Sequence, residues 1–188
     1  MKITTLDNII SERELYFIYY QALKTYGWQV NCVSSQKRET NLNYGPILSA
    51  KFPDEPPHNY ALWMYGQTLV YRINKMLEEK HIGIPTELDR MWFTCTYSGK
   101  KSQHWLHQDS EKSEYTTILM FMTPLWQPDW RGSFYVDGQE IKFKPGSAVI
   151  FNSTEYHQGE SPISETYNWQ RVTLNMMVKE NNKQYDQA

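Results

Sequence analysis

The period of the apolar positions changes near residue 90. After Ser11-Glu-Arg-Glu14, apolar residues fall at Leu15, Ile18, Tyr19, Ala22 and Tyr26, which predicts a helix stopping near Gly27. Ser11 and Glu14 fit a capping box, in which hydroxyl and carboxylate satisfy the first helical N–H groups. Residues 28–58 lack a period and contain Gly45-Pro46, Pro53, Pro56 and Pro57, so they read as loops and short strands. A second helix is predicted over about 59–80. Leu62, Tyr65, Leu69, Ile73, Met76 and Leu77 line one of its faces, its last turn LEEKH is a solvated charged face, and Gly83 follows its end.

From Met91 onward, short runs rich in Thr, Val, Ile, Tyr and Phe alternate with Gly, Pro and Asp turns. The predicted strands are 91–97, 103–109, 115–122, 133–137, 140–143, 147–152, 156–160 and 170–178. Asp137-Gly138 signals a hairpin and Lys144-Pro145-Gly146 another turn. Eight short strands of this kind suggest a sandwich or jelly roll, with the two helices covering one face of a sheet. The fold expected is mainly β with flanking helices (α+β). One domain spans 1–188, with 1–90 a helical N-terminal support, 91–179 the jelly-roll core, and a frayed polar end, NNKQYDQA. No internal repeat or low-complexity tract interrupts this plan.

Composition narrows the function by exclusion. A chain of 188 residues can bury a core without disulfide staples. The formal charge of −2 and pI near 6.2 give no global basic footprint, so nucleic acid is not an expected partner. Mean hydropathy is −0.69, and no run approaches the ~20 apolar residues of a membrane span. The N-terminus lacks the apolar core of a signal peptide, so the expected location is the cytoplasm. Cys32 and Cys95 alone make neither a disulfide framework nor a zinc site, and Cys95 reads as a buried apolar residue.

The chemistry concentrates in a few positions. In a strand, His107 and Asp109 of His107-Gln108-Asp109 would point to the same face. His157 lies 50 residues on, at the start of another predicted strand. Two His and one carboxylate on one side of a metal leave the opposite positions open, the arrangement of non-haem Fe(II) oxygenases. Arg171 opens the last strand, with Thr173 on its face, and a guanidinium beside a hydroxyl suits a carboxylate. Tyr97, ten residues before His107, offers a further hydroxyl.

These pieces resemble the 2-oxoglutarate/Fe(II) oxygenases, most closely the short bacterial or phage-type members of their prolyl-hydroxylase-like branch. The likeness covers roughly residues 91–179. It rests on Tyr97-Ser-Gly99, His107-Gln-Asp109, Gly132-Ser-Phe134, Lys144-Pro-Gly146 to Phe151, His157 and Arg171-Val-Thr173. The resemblance implies a double-stranded β-helix with His107, Asp109 and His157 as iron ligands. It implies Arg171 as the anchor for 2-oxoglutarate, assisted by Tyr97 and Thr173. Fe(II), 2-oxoglutarate and O2 would then hydroxylate an unactivated C–H bond, with succinate and CO2 as co-products. The chain departs from that branch in two places. Arg131-Gly132-Ser133 stands where two glycines and an acidic residue are usual, and the anchor is Arg where collagen-type members have Lys. Met177 occupies the position of a second Arg found in the nucleobase demethylases of the superfamily, which counts against that activity.

Other readings compete at single positions. His104 would turn to the strand's other face, while His58 and His81 read as exposed. Arg171 could pair with Glu160 or Glu165, and Lys100-Lys101 reads as a solvated turn. Thr173 and Asn175 continue a polar inner face of the last strand, while Val172, Leu174 and Met176 form an apolar outer one. Trp105, Tyr135 and Asn175 are candidates for a substrate pocket; Trp126 and Trp130 are weighed beside them. By family analogy the first substrate guess is a peptidyl proline, with a free amino acid, another small metabolite or a modified nucleotide as alternatives. A cupin-like metal-binding protein (an isomerase or effector binder) and an inactive scaffold share the fold. The cupin reading lacks its expected HxH pair and following Glu.

Overall fold

The computed structural model describes residues 2–24, 29–30, 47–52, 60–84, 87–97, 106–163 and 170–179. The elements are β1 (Thr4–Leu6), α1 (Glu12–Lys24), β2 (Gln29–Val30), β3 (Ile47–Phe52), α2 (Tyr60–Glu78), β4 (Glu87–Thr96), β5 (Tyr115–Phe121), a 3-10 turn (Pro128–Trp130), β6 (Phe134–Val136), β7 (Gln139–Ile141), β8 (Ala148–Asn152), β9 (His157–Gly159) and β10 (Arg171–Lys179). No helix among the described residues is long and apolar enough to cross a membrane.

The helix α1 starts as its sequence dictates. Ser11 Oγ accepts from the Glu14 amide at 3.2 Å, and Glu14 Oε2 accepts from the Ser11 amide at 2.9 Å. Glu14 also takes Arg72 Nη1 of α2 at 2.7 Å, so one side chain both caps α1 and ties the helices together. The helix α2 closes differently from the expectation around Gly83. His81, exposed as expected, takes the left-handed conformation (φ 58°), and Ile82 N returns to Leu77 O at 2.8 Å.

Among the described residues ten strands form two antiparallel sheets. The larger has the order β1-β8-β5-β10-β4-β3-β2 and the smaller β7-β6-β9. Alternation along the strands divides the core in two. Met91, Phe93 and Cys95 of β4, Ile118 and Met120 of β5, and Val172, Leu174 and Met176 of β10 pack under α1 and α2. Leu119, Phe121, Val149 and Phe151 face Phe134 and Val136 of the smaller sheet. The two helices therefore cover one face of the larger sheet, and the second sheet closes the other as a jelly roll.

Most predicted strands appear within a few residues of their expected bounds. The Asp137-Gly138 turn has φ 46° and 72°, the two positive values a type I′ hairpin needs. The strand expected over 103–109 is a correction. Residues 103–105 lie outside the described set, and of the remainder only His107 pairs, in an isolated bridge. The N-terminal 90 residues contribute more than helices, since β1 and β3 extend the large sheet on its two sides. His58, Ser98, Gly99, Lys100, Lys101, His104, Trp105, Glu165, the Gly27 stop and the NNKQYDQA end lie outside the described residues.

The turn before β6 is strained. Arg131 has φ 60° and ψ −141°, a region that favours glycine. It occupies the stretch in which the resembling branch has two glycines. Trp126 Nε1 donates to the Arg131 carbonyl at 2.9 Å, and Arg131 bridges to Pro162. A Cβ on the next residue, Gly132 (φ 81°), would lie 2.6 Å from the Trp126 ring.

Two stability measurements check these local accounts. Glu14→Ala should cost about 1–2 kcal/mol at pH 7, read by urea denaturation. The amide of Ser11 first, then Arg72, pull the Glu14 carboxyl from 4.5 down to about 2. A depressed folded-state pKa stabilises above the unfolded value and is lost as pH falls, so the wild-type advantage should shrink between about 4.5 and 2. Arg131→Gly should raise stability by roughly 1 kcal/mol. Strain of order 1–3 kcal/mol is relieved, offset by up to ~1 kcal/mol of added freedom in the unfolded chain.

Candidate metal centre

His107 and His157 are joined through the backbone. His107 N donates to His157 O at 3.0 Å and His157 N to His107 O at 2.9 Å. Residues exchanging both bonds in an antiparallel pair present their side chains on the same side. The imidazole centroids are 4.3 Å apart. Asp109 follows two residues later in a segment held from beneath. Its amide and that of Ser110 both donate to Ser153 O at 3.1 Å, while the Gln108 amide group donates to Thr154 O.

The three side chains converge. His107 Nε2 lies 3.9 Å from Asp109 Oδ1, and His157 Nε2 lies 3.6 Å from Asp109 Oδ2. One ligand atom from each residue lies within 4.8 Å of the others. His157 is buried against Phe134 and Phe151. Its Nδ1 is 2.9 Å from Glu155 O, and a carbonyl only accepts, so the proton sits on Nδ1. That leaves the Nε2 lone pair aimed at the cluster, as metal ligation requires.

The charges are coupled. Burial alone would raise the Asp109 pKa, but the hydrogen bond and charge of His157, with His107 and Thr117, hold it below the ordinary value. Burial likewise works against a charged His157, and Asp109 with the Glu155 carbonyl turns the net shift upward. The donor set is two imidazoles and one ionised carboxylate, with His107 partly open to solvent. It suits a divalent first-row metal with positions to spare.

Arg171 lies elsewhere in the same interior. It is buried, donates through Nε to Gly132 O at 2.8 Å, and has its guanidinium carbon 5.9 Å from the rings of both Phe121 and Phe143. Burial lowers its pKa to about 10, partly opposed by the charge of Glu160, so it remains cationic at neutral pH. Among the described residues no carboxylate is within ion-pair distance of it. Among the described residues its buried Nη2 also has no hydrogen-bond partner. Thr96, its register partner on β4, also has a buried hydroxyl without a partner. An idle cationic nitrogen beside an idle hydroxyl fits the carboxylate end of an anion.

The remaining expected residues divide. Thr173 is buried on Arg171's face of β10, and Asn175 Nδ2 donates to its Oγ1 at 3.3 Å and to Thr94 Oγ1 at 3.2 Å. Tyr97 is a correction: it packs on the helix-side core that holds Cys95, away from the Arg171 face. Tyr135 is another. It alternates with the inward Phe134 and Val136, and its hydroxyl meets Glu140 at 3.4 Å on the outside of the smaller sheet. Thr96, Thr117 and Ser153 were not singled out from sequence, because hydroxyl residues in or beside strands look like ordinary strand formers and turns.

No protein-family model matches the chain, and no curated protein gives a significant sequence match. Solved structures do match. A Pseudomonas putida prolyl-4-hydroxylase has a TM-score of 0.62 at 15% identity, covering 95% of this chain and 92% of that one. The α-ketoglutarate-dependent carbocyclase SnoK of nogalamycin biosynthesis has a TM-score of 0.65 at 11% identity, covering 95% and 79%. A Trichoplax adhaerens prolyl hydroxylase, solved with a peptide of the hypoxia-inducible factor oxygen degradation domain, has a TM-score of 0.61 at 13% identity, covering 94% and 83%. The chain therefore carries the jelly-roll fold of the 2-oxoglutarate/Fe(II) oxygenases, with a His-Asp-His cluster in its interior.

Proposed function

We propose that this protein is an Fe(II)- and 2-oxoglutarate-dependent dioxygenase that hydroxylates an unactivated C–H bond. The observation that carries the reading is a pair of features on one interior. Three converging ligands can hold a metal, and a buried guanidinium has one nitrogen without a partner among the described residues. A cupin-like metal-binding role would account for the first but leave Arg171 without an occupant.

His107, Asp109 and His157 would hold Fe(II). Arg171 would bind the distal carboxylate of 2-oxoglutarate, with Thr173 and Thr96 beside it. The bound iron would supply the activation of O2. The protein's own part is to orient and shield. His157 keeps its proton on Nδ1, donated to the Glu155 carbonyl, which leaves the Nε2 lone pair for the metal. Phe121 and Phe143 exclude water from the anchor, strengthening the attraction between guanidinium and carboxylate. The balanced reaction is R–H plus O2 plus 2-oxoglutarate giving R–OH, succinate and CO2. A peptidyl proline is the first substrate to test, supported by the likeness to two prolyl hydroxylases.

Anaerobic addition of Fe(II) and 2-oxoglutarate should produce a weak visible charge-transfer band that is lost in His107→Ala. Arg171→Met should keep Fe(II) binding but need roughly 100-fold more 2-oxoglutarate, taking about 3 kcal/mol for truncating one member of a buried charge pair. Folded, iron-loaded protein that gives no band would overturn the proposal. Succinate release, with and without proline-containing peptides, then reads the substrate.

A further inference from the structure

Thr117 on β5 and Ser153, immediately after β8, are both fully buried. Most buried threonines return their hydroxyl proton to a backbone carbonyl or to water. Thr117 instead donates to Asp109 Oδ2 at 2.9 Å and lies 2.8 Å from Ser153 Oγ. Counting protons gives the direction of this chain. An ionised carboxylate only accepts, so the single proton of Thr117 goes to Asp109, and Ser153 must be the donor to Thr117.

The same serine holds Asp109 a second way, since its carbonyl accepts from the Asp109 and Ser110 amides. Asp109 itself sits in a segment without a strand of its own, where a carboxylate would otherwise rotate about its side-chain bonds. Thr117, by contrast, lies on a strand paired on both sides, opposite Phe151 of β8 and Met177 of β10. A rigid strand therefore reaches across to fix a group on a loop.

We infer that Thr117, set in turn by Ser153, is a positioning residue for metal: it fixes the rotation of the Asp109 carboxylate between the two imidazoles and thereby sets metal affinity. This rests on the metal centre proposed above. A hydrogen bond to a ligating carboxylate keeps it aimed and leaves less ordering to be done when the ion arrives.

The test uses the metal-free full chain titrated with Co(II), an air-stable stand-in for Fe(II) whose visible spectrum reports its donors. Thr117→Val conserves shape and removes the hydroxyl. It should weaken Co(II) binding by about 10- to 100-fold and change the cobalt spectrum. Thr117→Ser, which restores the donor, should bind close to wild type. Ser153→Ala should lose less than Thr117→Val, because Thr117 still reaches Asp109. Thermal melts of the metal-free variants accompany each titration. Unchanged affinity and spectrum in Thr117→Val would overturn the inference. So would equal losses in Thr117→Val and Thr117→Ser, which would make packing the cause. Wild-type protein that binds no Co(II) would instead overturn the metal centre itself.

Discussion

The site depends on one exchange of backbone hydrogen bonds, between His107 and His157. Those two bonds contribute only about 1 kcal/mol each in net terms. They nevertheless join the segment before β5 to the first residue of β9, and so tie that segment to the edge of the smaller sheet. Two imidazoles are brought side by side, tilted 55° to one another, by the pleat rather than by their own attraction. Asp109 can then fall between them, because Ser153 holds the amides of Asp109 and Ser110.

Two opposite charges are kept apart in the same interior. Asp109 is stabilised by imidazoles and a hydroxyl, Arg171 by one carbonyl and two aromatic rings. A guanidinium tolerates such a place better than an ammonium would, because it is weakly hydrated and sits well over ring faces. The strained turn at Arg131 and Gly132 belongs to the same arrangement. It presents the Gly132 carbonyl to Arg171, with Trp126 packed so close that no side chain fits there.

Much of this was legible in the residues. The capping box of α1, the Asp137-Gly138 turn and the alternation of β10 are local signals, and local physics decides them. The companionship of His107 and Asp109 was legible for a different reason from the one that holds. Strand alternation suggested it, whereas the segment is a loop pinned at one bridge and on Ser153. Tyr97 and Tyr135 were misassigned because a residue's face depends on strand phase. Tyr97 keeps step with Cys95 toward the helices, and Tyr135 falls out of step with Phe134 and Val136. β1 escaped notice because three residues carry no period. Thr117 is one of several hydroxyl residues in strands, and only the spatial approach of Asp109 distinguishes it.

The strand order has a consequence for how the molecule comes together. β10 follows every other described strand in the chain, yet it lies between β5 and β4 near the middle of the larger sheet. Those two strands have no direct pairing with one another and wait for a distant segment to fill the slot. Closing such long-range contacts is slow. The guanidinium arrives on that same segment. A half-assembled chain can bring its imidazoles and carboxylate together before β10 is in place, but it buries the Arg171 guanidinium only when the sheet becomes whole, so the interior's one described cation without an ion-pair partner arrives with the completion of the β-structure.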